Sequence, residues 1–194
     1  MKMREVIKNN YLEAEQVLRE FFTKEENIDR IAQAAEAMVE TLRGGGKILS
    51  CGNGGSLCDA AHFAEELSAR FRRNRKALPA IAITDPAYIT CVGNDFGFDH
   101  IYSRFIEAVG RQGDLLLAIS TSGNSPNIVN AAREAHARGM KVVALTGHEG
   151  GVLAGCCDVE VRAPKTPFSD RAQEIHIKVI HTLCQIIEKE LGID

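Results

Sequence analysis

The first 43 residues carry apolar side chains at steps of three and four, the spacing of helices with one buried face. In the first segment these residues are Ile7, Tyr11, Ala14, Leu18 and Phe21. Asn27 is a candidate cap for a second helix, which the glycines at 44–46 would end. We therefore predict two N-terminal helices over residues 1–43. We expect them to form an oligomer contact, with packing on the chain's own core as the alternative.

From residue 47 onward, short apolar runs alternate with helical patterns. The five runs, each typical of a buried β-strand, cover residues 47–51, 78–84, 114–120, 141–146 and 159–162. Helical spacing covers residues 56–72, 98–109, 126–138 and 170–191, to within a residue or two. Strands that alternate with helices favour right-handed crossovers and a parallel sheet covered on both faces. We therefore predict a single α/β domain over residues 1–194.

Composition and charge exclude several classes of protein. With 45% hydrophobic residues the chain can bury a sizeable core. It has 23 Lys and Arg against 26 Asp and Glu, so a basic nucleic-acid-binding surface is not indicated. No apolar run approaches the roughly 20 residues of a transmembrane helix, and no secretion signal is apparent. Six cysteines occur without a CxxC pair. We expect a cytoplasmic protein with reduced thiols that binds neither nucleic acid nor membrane.

Two strand-to-helix turns, at residues 51–56 and 120–125, are rich in small and polar residues. The second offers four hydroxyls, on Ser120, Thr121, Ser122 and Ser125. Backbone N–H groups at a helix start attract anions, and hydroxyls donate to a phosphate without adding charge. The first turn lacks the GxGxxG spacing of dinucleotide-binding folds, and no GK[ST] motif of Walker A loops occurs. We therefore predict a site for a small phosphorylated metabolite, against the alternative that both turns hold only ordinary caps.

His62 and Glu66 are four residues apart in the helical stretch after the first turn, so they share one face of that helix. Such a pair can bind a metal ion or act in acid/base catalysis, although the same spacing is common on solvated helices. In the last helix, about 12 Å of helical rise separates Gln173 from His181, so their side chains could just reach one ion. From the residues alone, His181 is more simply a satisfied buried histidine and His176 a surface or core one.

Other polar residues are weaker candidates. Asn94 and Asp95 follow the second predicted strand, where they could hydrogen-bond sugar hydroxyls or form an Asx turn before the next helix. A basic run over residues 70–76 could bind phosphate, but such runs are more often a solvated face. Only Arg70, one turn beyond Glu66, is kept as a candidate from that run.

Taken together, five segments resemble the phosphoheptose isomerase family of sugar-isomerase (SIS) domain proteins. They are residues 50–56, 62–66, 92–98, 119–125 and 171–181. The resemblance covers nearly the whole chain. It implies a flavodoxin-like five-stranded parallel sheet and a homotetramer with active sites at subunit interfaces. The implied reaction converts sedoheptulose 7-phosphate to D-glycero-D-manno-heptose 7-phosphate, the first step toward the ADP- or GDP-heptose of lipopolysaccharide and other surface glycans.

The resemblance also implies residue roles. Glu66 would be the general base and His181 the general acid of a proton transfer through an enediol. One zinc ion per subunit would be held by His62, Glu66, Gln173 and His181. The substrate would be contacted by Asn53, Gly54, Gly55, Glu66, Asn94, Asp95, Ser120, Thr121, Ser122, Ser125 and Gln173. Asp170 matches a position linked to activity in the family, and together with Arg70, which the basic run offers, it would support the site.

A binding protein of the DnaA initiator-associating type is the alternative function. That SIS relative is a tetrameric module without this catalysis, and in it Ala takes the place of Glu66 and Asn that of His181. Both catalytic residue types are present here, which favours the enzyme. A sugar-phosphate-sensing regulator would carry a helix-turn-helix domain, for which we expect no room in 194 residues.

Overall fold

The computed structural model describes residues 2–193 and contains one five-stranded parallel sheet. The strands are β1 (Ile48–Gly52), β2 (Ala80–Ala82), β3 (Leu115–Ser120), β4 (Lys141–Thr146) and β5 (Val159–Arg162). They lie in the order β2-β1-β3-β4-β5, with β1 paired to both β2 and β3. This is the flavodoxin-like order, so the predicted fold class is confirmed.

Eight α-helices surround the sheet within the described residues. They are α1 (Met3–Phe22), α2 (Glu25–Arg43), α3 (Gly55–Ser68), α4 (Pro86–Asp95), α5 (Ser103–Val109), α6 (Pro126–Ala137), α7 (Gly151–Ala154) and α8 (Ser169–Glu190). A short 3₁₀ turn, Phe98–His100, precedes α5. Over residues 2–193 the helices all fall short of the length and apolar character that crossing a bilayer requires.

Both faces of the sheet are covered because alternate side chains of each strand point to opposite sides. In β3, Leu115, Leu117 and Ile119 pack with residues of α2, α3 and α8. Leu116 and Ala118 of the same strand pack on the other face with residues of α4, α5 and α6. All six residues of β3 are buried, as expected for a central strand of a doubly covered sheet. The sheet therefore places α3 and α8 side by side on one face.

The predicted apolar stripe of α1 divides into a buried and an exposed part. Phe21 is buried in the core with Val17, whereas Ile7 and Tyr11 are 52% and 72% exposed. Asn27 does not cap the second helix, because α2 already begins at Glu25. Its side-chain amide instead donates to the carbonyl of Phe21 at 2.8 Å, which fixes the turn between the two helices.

Two other parts of the chain depart from the predicted elements. The helix after β1 ends at Ser68, not at residue 72, and β2 has three residues rather than seven. Residues 86–95, which we did not predict as helical, form α4. Asp85 caps this helix by accepting from the Tyr88 N–H at 2.6 Å, and Pro86 takes its first position. The Asx-turn alternative for Asn94 and Asp95 is wrong, because both residues close α4.

Candidate active site

The loops after β1 and β3 meet where the strand order reverses, the usual ligand-binding position of such sheets. Asn53 of the first loop and Asn127 at the start of α6 exchange two side-chain hydrogen bonds, of 2.9 and 2.8 Å. The Tyr102 hydroxyl donates to the carbonyl of Gly52. Gly54 has a positive φ of 56°, which favours glycine. These contacts hold the first predicted turn against the second.

The serine-rich turn is shaped by one glycine and one hydroxyl pair. Ser120 and Ser125 lie with their Oγ atoms 3.1 Å apart, while Thr121 is half-buried and Ser122 exposed. Gly123 has a φ of 65°, and a Cβ atom there would lie 1.9 Å from the carbonyl oxygen of Gly150. The turn therefore needs glycine at this position, and it leaves hydroxyls around the N-terminus of α6.

His62, Glu66 and His181 come together between α3 and α8. His62 Nε2 lies 3.0 Å from Glu66 Oε1, and the side chains are 40% and 15% exposed. The His181 ring packs edge-on against His62, with ring centroids 5.1 Å apart. One nitrogen or carboxylate oxygen from each residue lies within 4.8 Å of the other two. This trio offers both a carboxylate base and imidazole groups, and its nitrogen and oxygen atoms are ligands that Zn²⁺ accepts.

Gln173 lies at the other end of the α3–α8 contact. A Cβ atom on Gly55 would come within 2.7 Å of the Gln173 amide, so a larger residue there would displace the Gln173 side chain. Because Gly55 faces Gln173 and His62 faces His181, the two helices run in parallel. Gln173 is therefore next to the first loop, about two turns of helix from the His62–Glu66–His181 trio.

The remaining candidates lie at the surface of the chain. Asn94 and Asp95 are exposed at the end of α4, where the Asn94 amide donates to Asp95 at 2.7 Å. Arg70 and Asp170 are also exposed, and within residues 2–193 they form no hydrogen bond or ion pair with another candidate residue.

For His176 the sequence left two alternatives, a surface or a core histidine, and the structure shows that it is a core residue. Its Nε2 lies 2.8 Å from the Thr146 carbonyl, and burial lowers its pKa to about 4.

Sequence reasoning missed three polar residues around the site: Asn127, Asp59 and Arg75. Asn127 is 1% exposed. Its place in the first turn of a predicted helix does not indicate this burial. Asp59 lies one turn before His62 on α3, a spacing that could have flagged it. Arg75 belongs to the basic run over residues 70–76, which we interpret as a solvated face. For Arg75 this interpretation is wrong, because its side chain is 2% exposed and pairs with Glu188.

Asp59 has an environment that disfavours its charged form. Its Oδ2 atom is buried without a hydrogen-bond partner in the described part of the chain. Burial raises the pKa of this carboxyl to about 6, and the nearby His62 opposes the rise. An aspartate in the unfolded chain titrates near 4, so folding favours the protonated form. The contribution of Asp59 to stability is therefore full below pH 4 and is lost as the pH rises through 6.

We expect Asp59→Asn to stabilise the protein at pH 7, because the amide carries no charge to desolvate. The free energy of unfolding should rise by about 1–2 kcal/mol. This is less than the full pKa shift corresponds to, because water screens the charge of a partly exposed carboxyl. The gain should disappear near pH 4, where wild-type Asp59 is protonated. Urea titrations at pH 4 and pH 7 measure both values, with Asp29→Asn on the exposed face of α2 as the control. An equal effect at both pH values would contradict this account.

The model of the SIS domain family matches residues 10–147. A phosphoheptose isomerase from Aeromonas hydrophila is 55% identical over 188 residues, which cover 97% of this chain and 98% of that protein. The solved phosphoheptose isomerase structure from Francisella tularensis has a TM-score of 0.92 at 42% identity, over 97% of this chain and 100% of the other. That from Neisseria gonorrhoeae has a TM-score of 0.90 at 41% identity, with the same coverage.

Proposed function

We propose, because this chain belongs to the phosphoheptose isomerase family of SIS-domain proteins, that it converts sedoheptulose 7-phosphate to D-glycero-D-manno-heptose 7-phosphate. This is an aldose–ketose isomerisation and the first step toward the activated heptose of surface glycans. One observation carries the proposal: the Glu66 carboxylate and the His181 imidazole lie close together, near the two loops that are suited to binding a phosphate. A purely structural SIS module has no need of both groups at one position.

The phosphate of the substrate binds at the switch point between β1 and β3. Backbone N–H groups at the start of α3, after Gly54 and Gly55, donate to the phosphate oxygens. The positive end of the helix dipole stabilises the negative charge at the same position. The hydroxyls of Ser120, Thr121, Ser122 and Ser125 add neutral donors. From there the sugar runs along α3, where His62 lies about 10 Å further on. Side chains tilt toward the helix N-terminus, so the Glu66 carboxylate reaches back toward the sugar.

The reaction moves one proton between two carbons. Glu66 removes a proton from C1 of the ketose while His181 donates one to the C2 oxygen, which gives an enediol. Glu66 then returns its proton to C2, and His181 takes the proton from the C1 oxygen, which leaves the aldose. Within residues 2–193, Glu66 Oε1 is engaged by His62, whereas Oε2 has no hydrogen-bond partner. We assign Oε2 as the base.

We further propose that His62, Glu66 and His181 hold one zinc ion per subunit. Zinc at this position would polarise the substrate carbonyl and stabilise the negative charge that develops on its oxygen. Two imidazoles and a carboxylate fit the ligand preference of Zn²⁺ in catalytic sites that keep an open position. Gln173, the fourth residue of the predicted ligand set, lies beside Gly55 at the loop end of the same helix pair, and we propose it as a substrate contact.

Chelation should remove this metal and zinc should restore both activity and stability. A ligand that binds only the folded state at 100 times its dissociation constant adds about 2.7 kcal/mol to the free energy of unfolding. For a chain of this size that corresponds to a melting temperature roughly 5–10 °C higher. Differential scanning fluorimetry and metal analysis test this, with His62→Ala expected to lose the zinc-dependent shift. Fully active protein without bound metal would end the zinc proposal.

We also propose the cytoplasmic homotetramer expected from the sequence. Its support is the exposed apolar side chains of α1, among them Ile7 and Tyr11, which a second copy would cover. Asn94 and Asp95 lie apart from the trio within one chain, so we propose that they contact a sugar bound at a subunit interface. Mass photometry of the wild type measures the oligomeric state, and a monomer at assay concentration would contradict this proposal.

The experiment that tests the function is incubation with sedoheptulose 7-phosphate and detection of the aldose by NMR. Reaction in D₂O should place solvent deuterium at C2 of the product, since the proton passes through a carboxylate that can exchange with water. The DnaA initiator-associating alternative predicts sugar-phosphate binding at most, with no product. A failure to form the aldose, with and without added zinc, would contradict the isomerase proposal.

A further inference from the structure

Arg75 lies beneath the end of α3, in the segment that leads from this helix to β2. Its Nη2 atom donates to the carbonyl of Glu66 at 2.7 Å. Its Nη1 atom donates to the carbonyls of Leu67 at 2.8 Å and Ala69 at 3.2 Å. Carbonyl groups at the end of a helix lack partners within that helix. One guanidinium group therefore holds the last turn of α3, which is the turn that carries Glu66.

The other edge of the same guanidinium reaches α8. Arg75 Nε donates to Glu188 Oε1 at 2.7 Å, and only 5% of the Glu188 side chain is exposed. Glu188 comes seven residues after His181, so both lie on the same face of α8, two turns apart. The ion pair thus joins the helix that carries Glu66 to the helix that carries His181. We call Arg75, Glu188 and the three bonded carbonyls at the end of α3 the Arg75 clamp.

Two further contacts tie the clamp to the site. Phe71, in the segment that Arg75 holds back against α3, packs on the His181 ring with centroids 5.7 Å apart. Cys184, between His181 and Glu188 on α8, is fully buried. Burial raises the pKa of the Cys184 thiol to about 12; the carboxylates of Glu66 and Glu188 act in the same direction, and the Arg75 guanidinium opposes them. The clamp and the catalytic pair therefore belong to one continuous packed unit.

We propose that Arg75 is a positioning residue for the isomerase, which fixes the Glu66 carboxylate relative to the His181 imidazole. The proposal rests on the function proposed above. Only arginine has a planar fork of donors that serves a carboxylate and several carbonyls at once, so lysine cannot replace it. Displacements of about 1 Å can lower a rate by roughly 100-fold, because the reacting atoms leave their productive distance. The Arg75 clamp therefore affects turnover more than substrate binding.

Three variants, with the single substitution Arg75→Met as a reference for stability, separate positioning from stability. Arg75→Lys keeps the charge opposite Glu188 but loses the forked donors. The double variant Arg75→Met with Glu188→Leu removes the buried charges together, which is often close to neutral for stability. Lys47→Met is the control, since Lys47 pairs with the buried Asp114 at the opposite, amino end of the sheet. Its loss should lower the melting temperature without reaching Glu66.

In Arg75→Lys we expect kcat to fall by about 10- to 100-fold with KM within about threefold of wild type. The double variant should recover melting temperature relative to Arg75→Met alone but not kcat. Lys47→Met should keep the wild-type kcat. The proposal is overturned if kcat survives in Arg75→Lys, if the double variant recovers kcat together with stability, or if Lys47→Met loses kcat equally.

A second readout does not depend on activity. The imidazole ¹⁵N resonances of His62 and His181, assigned with His62→Asn and His181→Asn, report on the neighbouring Glu66 carboxylate. They should shift in Arg75→Lys and stay unchanged in Lys47→Met. If the wild type lacks isomerase activity, the proposed function fails while these spectra still decide whether Arg75 positions the trio. Unshifted imidazole resonances in Arg75→Lys would overturn the positioning role by themselves.

Discussion

Glu66→Gln is expected to abolish measurable isomerisation while leaving substrate binding nearly intact. The amide has the shape of the carboxylate and can still hydrogen-bond His62, but it cannot accept the C1 proton. General base catalysis contributes about 10²–10⁴-fold, so kcat should fall by at least this range. Calorimetric titration with sedoheptulose 7-phosphate gives the dissociation constant, and NMR in D₂O gives the rate of hydrogen exchange at carbon.

Glu65→Gln is the matched control for this variant. Glu65 is the neighbouring carboxylate on α3, is exposed, and points about 100° away from Glu66. The Glu65→Gln substitution removes one negative charge from the same helix and should keep kcat within about twofold, since exposed charges have small effects. Full activity in Glu66→Gln, or an equal loss in Glu65→Gln, would remove Glu66 from the role of base.

Hydrophobic spacing predicted most of the fold because it reports burial directly. The runs around Leu116 and Val143 are buried on both sides, and such central strands are nearly continuous apolar sequence. The end of α3 was predicted four residues late because the local apolar pattern continues, whereas in the structure the Arg75 side chain binds the carbonyls of Glu66 and Leu67 in the last turn. The α4 helix was missed because its N-terminal signal, Asp85 before Pro86, is short and it buries only one residue, Val92.

The spacing along α3 predicted two members of the candidate trio, His62 and Glu66. The position of His181 beside them depends on the fold. The i,i+4 relation placed His62 beside Glu66, as the structure has it. No local pattern shows that α8 runs parallel to α3, which is what brings His181 to this pair and Gln173 to Gly55. Asn127 and Arg75 act through contacts 74 and 113 residues away in sequence. Such residues are identified from packing, because their neighbours in sequence say nothing about their partners.

His181→Ala is the second substitution with a large expected effect. His181 is only partly buried, and its ring packs between His62 and Phe71, where it can meet the two oxygens of the reacting carbons. Without the imidazole no group carries the proton between these oxygens, so kcat should fall by about 10²–10⁴-fold. The proposed phosphate contacts around Ser120 and Gly55 are unaffected by this substitution, and the dissociation constant of the substrate should therefore change little.

Substrate binding distinguishes a lost proton carrier from a collapsed site. In His181→Ala the dissociation constant of the substrate should stay near the wild-type value while kcat falls. Thr182→Ala, which alters the exposed neighbour on α8, should keep both the dissociation constant and the rate. A His181→Ala variant that loses substrate binding together with turnover would show that His181 supports the fold of the site and does not carry the proton.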